Sequence, residues 1–470
     1  MHRSRNKYTS RLRPRNQAKN IEKKVNVQDF PDEVFSIIFE FYTEDIYWGN
    51  PWTLMHVCRQ WRLAATHARK IWSRIMLTRA SDHKSRRYRG YEVCDTERQL
   101  RGALARTVEG PIELCLRFDT EDTVSNSLIE VLRDAKAYLR IRALSIDGLF
   151  ATRLQHFDFN GFTLPSLKRV TLSPPSSDLH ERIRTTAPRL QFLELFWYED
   201  NHLNWDVSNR ENLTDFHIKG YGTLNDGGLK MVCSPPRLVN LSLGAFKIGI
   251  DKTISIPSLQ SLRLMSTSIQ GNMDLPRLKV LIMEESMIFS TEENPLTLPS
   301  LITFNVTDSM WGYIVAPSLH TLSIAQIHKS RNSGAVEPLV EQLTKPGCLS
   351  PRILHLDDSL IESNLLVRFL NGLHLLEEID IGNNVPLTKV FFEALAGCSL
   401  PLKAQSEPGK PICPSLKSFK LSLHGIRNDP TQSITMKWPR LAVQARAKGQ
   451  YPLAEALVCQ RTGAQWMTML

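Results

Sequence analysis

The chain contains no run approaching the ~18 to 20 uninterrupted apolar residues that a bilayer-spanning helix needs, and its first residues are charged where a secretory leader would carry an apolar core. Secretion and membrane insertion are therefore not expected. Cysteine is sparse as well: Cys58, Cys94, Cys115, Cys233, Cys348, Cys398, Cys413 and Cys459 are scattered along 470 residues. No two of them stand at the short spacing of a zinc knuckle or a redox pair, so buried free thiols in a reducing, intracellular compartment, cytoplasm or nucleus, are expected. Sequence patterns of catalysis are missing too. There is no HExxH, GxSxG, GxGxxG or GxxxxGK string. Asp357-Asp358 reads as a solvated turn, and His180-Glu181 lacks the second histidine of a zinc helix. No metal, no cofactor and no enzymatic activity are expected.

Net charge is also missing from most of the chain. The net charge is +10, but residues 1–24 hold nine Lys or Arg against Glu22 alone, so +8 lies in this arm and the remainder is close to neutral. The arm lacks aliphatic periodicity and reads as a solvated tail, suited to nuclear import or phosphate attraction. A near-neutral body argues against specific nucleic-acid recognition. The basic cluster Lys84, Arg86, Arg87 and Arg89 reads as a solvated loop.

Apolar periodicity begins at residue 29. Pro31 suits a helix start, Asp32 and Glu33 complement its positive end, and Val34, Ile37, Ile38, Phe41 and Tyr42 recur at helical spacing as a core stripe. Phe35 and Phe39 form a second stripe, leaving Ser36 and Glu40 to face water, so this helix needs cover on two sides. After a loop at Trp48-Gly49-Asn50-Pro51, Leu54, Val57, Cys58 and Trp61 align on another helix, and Ile71-Trp72 marks a short third element. Such a unit, residues 29–76, is small enough to gain stability from packing against something else.

The clusters Phe30-Pro31-Asp32-Glu33-Val34, Val57-Cys58-Arg59-Gln60-Trp61-Arg62 and Lys70-Ile71-Trp72-Ser73, in that order, resemble an F-box of the kind abundant in mushroom-forming fungi. Phe30 stands where that family more often has Leu. The resemblance covers about a tenth of the chain. It implies a three-helix module that docks on the Skp adaptor of a cullin–RING ubiquitin ligase. On that resemblance Phe30, Pro31, Phe35, Ile38, Phe39, Leu54, Val57, Cys58, Trp61 and Trp72 form or support the docking surface. The alternative is that these residues only fill a bundle core.

Residues 77–110 read as a linker with a helix at Leu100, Leu104 and Val108, and Ile112, Leu114 and Leu116 alternate like a strand. From there the phrase Pro-x-Leu-x-x-Leu-x-Leu dominates. It starts at Pro165, Pro188, Pro236, Pro257, Pro276, Pro299, Pro317 and Pro414, with conservative replacements, and weaker copies begin at Ile141, Leu213 and Leu376. The mean spacing between Ile141 and Leu319 is about 22 residues, which looks like a leucine-rich-repeat array. The fold expected is α/β: a small three-helix F-box-like module followed by an irregular leucine-rich-repeat solenoid, or horseshoe, over 111–424. The period breaks between Leu319 and Leu376 and again before Leu416, and residues 425–470 read as a terminal cap.

Strand side chains alternate, so the residues between paired core positions face the opposite side, the concave face of such an array. They include Phe192, Glu194, Phe196, His217, Lys219, Arg263, Met265, Ile282, Glu284, Asn305, Glu378 and Asp380. The cluster Phe196-Trp197-Tyr198, near Trp205, stands out as a protein-binding anchor, with packing of Trp197 between repeats as the alternative. The whole reads as a substrate-recognition adaptor, the helices holding the Skp-type subunit and the array an unknown protein target. The competing reading is a scaffold or nuclear interaction module acting outside any ligase.

Overall fold

In a computed structural model of the chain, the described residues are 30–44, 51–77, 92–94, 96–117, 126–147, 163–173, 183, 186–197, 210–224, 226–250, 253–326, 348–357, 359, 361, 363–382, 385, 387–397, 411–422, 437–448, 452–459 and 466–468. The basic arm, the 84–89 cluster, Asp358 and His180-Glu181 lie outside them. Contacts divide the chain into two compact units, Met1–Trp72 with Arg86–Glu92, and Ser73–Ser85 with Val93–Leu470.

The first unit is helical: α1 (Asp32–Glu44), α2 (Pro51–Met55), α3 (Arg59–His67) and a 3-10 turn, Arg69–Trp72. Its core is aromatic. Phe35 and Phe39 stack at 5.9 Å, and the Trp61 ring closes on them at 5.9 and 5.1 Å. Trp72 is buried, donates its indole N–H to the Ala65 carbonyl at 2.7 Å and meets Trp52 edge-on. This reverses most of the expected roles of the two α1 stripes, although Tyr42 of the expected core stripe does pack on this core and Val34 is half-buried. Phe35 and Phe39 face inward because large rings bury the most area in a small core. Ile37, Ile38 and Phe41 are left exposed. Ser36 and Glu40 are half-buried, and Glu40 pairs with Lys70 at 2.7 Å. The helical pattern expected through Leu54 and Trp61 is interrupted at 56–58, where the Cys58 sulfur caps α3 by accepting the Trp61 N–H at 3.4 Å. That break turns Val57 outward while Leu54 stays buried.

The second unit is α/β, with a large, mostly parallel sheet of twenty strands among the described residues. It begins earlier than the sequence suggests. Arg74–Leu77 pairs in register with Ile112–Arg117, so the helical unit ends at Trp72, not Met76. The 77–110 stretch includes the helix Glu97–Thr107, which buries Leu100, Ala103 and Leu104 in the core of the sheet unit. Val108 follows it, exposed, at φ 51. Strands then pair with the next in chain order, from Ile141–Asp147 through Arg169–Ser173, Phe192–Trp197, Asp215–Leu224, Asn240–Gly249 and Ser261–Met265 to Val280–Glu284. Thr303–Thr307, Thr321–Ala325, Ile353–Asp357, Glu378–Ile381, Ser418–Ser422 and Glu455–Cys459 continue the series.

Each copy of the repeated phrase has one mechanical role. Its proline sits second in a turn closed by the leucine N–H, as in Leu259 to Ile256 and Leu301 to Leu298, both at 3.2 Å. The locked φ of proline suits that turn position. The two strand leucines that follow are buried, Leu262 with Leu264 and Leu281 with Met283. The apparent gap after Leu319 holds one more copy, Ile353–Asp357, hidden because Leu349-Ser350-Pro351 stands where the other copies have Pro-x-Leu, with Pro351 buried in the place of the leucine. The expected cap is likewise partly sheet. Glu455–Cys459 adds a parallel strand, and Trp466–Thr468 pairs with it antiparallel.

Repeat length decides what lies behind the strands. Pro257 to Pro276 and Pro299 to Pro317 leave too few residues for a returning helix, and short strands pair there instead, 254–255 with 273–274 and 296–297 with 314–315. The longer interval from Glu378 to Ser418 accommodates the helix Lys389–Ala396.

At the strand ends, Ser266, Glu285, Asp308 and Gln326 all adopt left-handed φ values of 44 to 55°, a conformation that costs non-glycine residues about 1 kcal/mol or more. A ladder of buried hydroxyls accompanies them. Thr267, Ser286 and Ser309 each donate to the carbonyl two residues back, and Ser286 and Ser309 accept the N–H of Thr267 and Ser286 at 3.1 and 2.9 Å. Ser286→Ala strands the Thr267 N–H in a dry corner and is expected to cost about 1 to 3 kcal/mol, measured by urea unfolding of the full chain.

Candidate functional site

Two surfaces offer side chains that the fold itself does not use. The first is on the helical unit. Ile37 and Phe41 are 55% and 70% exposed, and Ile38, Val57, Leu63, Phe30 and Trp52 are also open. Apolar residues this exposed on so small a unit are not needed for its own core, which Phe35, Phe39, Leu54, Ile71 and Trp72 already fill. Of the expected docking residues, Phe30, Pro31, Ile38, Val57 and Cys58 are exposed. Phe35, Phe39, Leu54 and Trp72 are buried and Trp61 packs on the core, so these five can only support a surface, because a buried ring has no area left to offer a partner. Ile37, Phe41 and Leu63 belong to the exposed set and were missed. Their signal was the i, i+1, i+4 spacing of Ile37, Ile38 and Phe41, which was assigned to the core.

The second surface is the face of the sheet opposite the buried leucines. All twelve of the residues expected there, from Phe192 to Asp380, occupy its outward positions in the strand registers. Trp197 is the exception in phase. It follows Phe196 on the strand, opposite Gly220, and Tyr198 and Trp205 fall outside the described residues.

Across the strands from 169 to 265 the side chains interlock. The Arg169 guanidinium lies over the Phe192 ring at 4.5 Å, and Phe192 meets the His217 ring at 4.8 Å. Lys219 spans Glu194, at 3.0 Å, and the Phe196 ring, at 5.0 Å. Burial, helped by Lys219 and Arg263, pushes the His217 pKa down against the opposing pull of Glu194 and Asp215. Ser242 and Gly244 line the neighbouring strand, where a Cβ at Gly244 would stand 3.3 Å from Lys219 Cγ and 3.4 Å from Met265 Cε. Arg263 pairs with Glu284 at 2.7 Å.

Further along, the face turns acidic. Lys420 contacts Glu378 at 2.6 Å, and His355 lies 3.6 Å from Asp380. Glu378, Glu455 and Asp380 hold the Lys420 pKa above its usual value, the hydrogen bond to Glu378 contributing most. Ile282 and Asn305 stand between the two charged regions as half-buried neutral positions.

Burial pushes the Cys115, Cys233 and Cys413 thiols up to about 12, which keeps them protonated and poorly nucleophilic. Among the described residues no group of three His, Cys, Asp or Glu side chains is placed to hold a metal ion, and no helix is long and apolar enough to cross a membrane. A scan against protein-family models finds no match, and a search of curated proteins finds no similar sequence.

Proposed function

We propose that the chain is a substrate-recognition adaptor of a cullin–RING ubiquitin ligase, in which the helical unit docks on a Skp-type subunit and the sheet unit holds a protein target. Ubiquitin transfer then belongs to partner subunits, and this chain contributes proximity between target and catalyst. The observation that carries the proposal is the exposed apolar set Ile37, Ile38, Phe41, Val57 and Leu63 on a unit whose own aromatic core is complete. Such a surface is costly to leave in water and gains from a partner. The second unit fits a leucine-rich-repeat solenoid, because one phrase recurs, its leucines are buried in every copy, and the strands pair in chain order.

The test is co-expression with a Skp adaptor and purification of the pair in high salt. Wild type and a variant lacking residues 1–24 are expected to form a stoichiometric complex. Ile38→Asp with Val57→Asp is expected to weaken it about 100-fold or more, as desolvated hot-spot losses do, with an unchanged circular dichroism spectrum. A well-folded wild-type chain that forms no complex would rule out the ligase reading.

A further inference from the structure

Val57, one of the exposed apolar set, sits on a corner and not on a helix. It is 56% exposed, while Leu54, on the last turn of α2, is buried. The corner joins α2, a helix of 5 residues, to α3. A helix this short makes few bonds of its own, and its last carbonyls need partners from outside it.

Three groups supply them. The His56 N–H donates to the Thr53 carbonyl at 3.2 Å and the Val57 N–H to the Leu54 carbonyl at 3.4 Å, both long contacts. The Met55 carbonyl accepts instead from a side chain, Arg62 Nε on α3, at 3.1 Å. The backbone N–H of the same Arg62 donates to the Cys58 carbonyl at 3.0 Å. Arg62 therefore grips both residues that flank His56 and Val57, Met55 with its side chain and Cys58 with its backbone.

We infer that Arg62 is a positioning residue of the docking surface: its bond to Met55 closes the corner that turns Val57 toward the partner. The inference rests on the adaptor reading and deepens it. The working atom is Nε and not the charge. Glutamine carries its amide nitrogen on Cδ, where arginine carries Nε, so it keeps the donor and loses the charge. Lysine keeps the charge and has a methylene at that place.

The test uses two measurements on the full chain. Millisecond hydrogen exchange at His56 and Val57 in the free protein reports how often the corner is open. Calorimetric titration with a Skp adaptor reports how often it is closed, because apparent affinity falls with the competent fraction. One net hydrogen bond shifts an equilibrium about fivefold. For Arg62→Met, the factor by which exchange quickens multiplied by the factor by which binding weakens is therefore expected to be about five. Arg62→Gln is expected to match wild type in both measurements and Arg62→Lys to follow the Met variant, with exchange around Phe35 and Phe39 unchanged throughout. In a Val57→Ala background, Arg62→Met is expected to quicken exchange without weakening binding further.

A product near one would overturn the inference. So would binding kept by Lys and lost by Gln, which makes Arg62 a direct charge contact, or an undiminished binding loss in the Val57→Ala background. Lost protection around Phe35 and Phe39 would reduce Arg62 to general support of the fold and overturn it too. A folded wild-type chain that binds no adaptor overturns the adaptor reading, and the docking role of Arg62 with it, whereas a wild-type complex with a product near one overturns the inference alone.

Discussion

Phe39→Ala is expected to unfold the helical unit, whereas Phe41→Ala, two residues away on the same helix, leaves it folded. Phe39 is fully buried and contacts two rings, while Phe41 is 70% exposed. Removing a buried phenylalanine costs about 3 to 5 kcal/mol, as much as a unit of this size has to lose. Removing an exposed one changes stability by about 0.5 kcal/mol or less. Hydrogen exchange read by mass spectrometry separates the outcomes, because it localises protection. With Phe39→Ala, amides of α1 and α3 exchange rapidly and those of the sheet strands keep their protection. Equal damage from Phe41→Ala would show that the two α1 stripes have been assigned the wrong way round. The same pair separates folding from docking, since Phe41→Ala is expected to weaken adaptor binding in a chain that remains structured.

The second large effect is expected at Arg446, in the helix Lys437–Lys448. Its side chain is 1% exposed and donates to the carbonyls of Leu395, Ile412 and Cys413 at 3.1 to 3.3 Å. The Leu395 carbonyl belongs to the last turn of the helix Lys389–Ala396, the negative end of its dipole. Burial lowers the Arg446 pKa, a sign that its charge is held at a cost. Replacing a buried charge with an apolar group can be neutral when all of its partners are removed too. Here these three partners are backbone carbonyls and stay behind. Arg446→Met is therefore expected to lose about 3 to 5 kcal/mol, each stranded acceptor costing about 1 to 3 kcal/mol. Arg446→Lys recovers part of this, and Lys448→Met, at an exposed position, loses almost nothing. Urea unfolding measures all three, and a Met variant as stable as wild type would mean the guanidinium contributes no net stability.

Much of the sheet was legible before any coordinates. Pro257-Ser258-Leu259 announces its turn by proline's fixed φ, and Leu262 with Leu264 announces a strand by period-two alternation. The same alternation placed Phe192, Glu194, His217 and Lys219 on the opposite face. The hydroxyl ladder was visible in principle, as a Ser or Thr three residues beyond the second buried strand position in Leu264–Thr267, Met283–Ser286 and Val306–Ser309. It went unseen because a hydroxyl residue near a turn normally signals nothing more than the turn. Arg446 gave no signal at all, since a lysine- and arginine-rich helix reads as solvated.

By itself the sequence determined the periodicities: where strands recur, which side chains share a face, and that the net positive charge is concentrated in the first 24 residues. Those properties are local, set by dihedral preference and side-chain alternation. Tertiary structure alone decided which of two apolar stripes on α1 faces inward, that Val57 turns out while Leu54 turns in, and that Arg74–Leu77 joins the sheet. Each depends on what a distant segment brings within a few ångströms, Trp61 onto Phe39 or Glu113 onto Arg74, and burial is a property of that pairing, not of the residue.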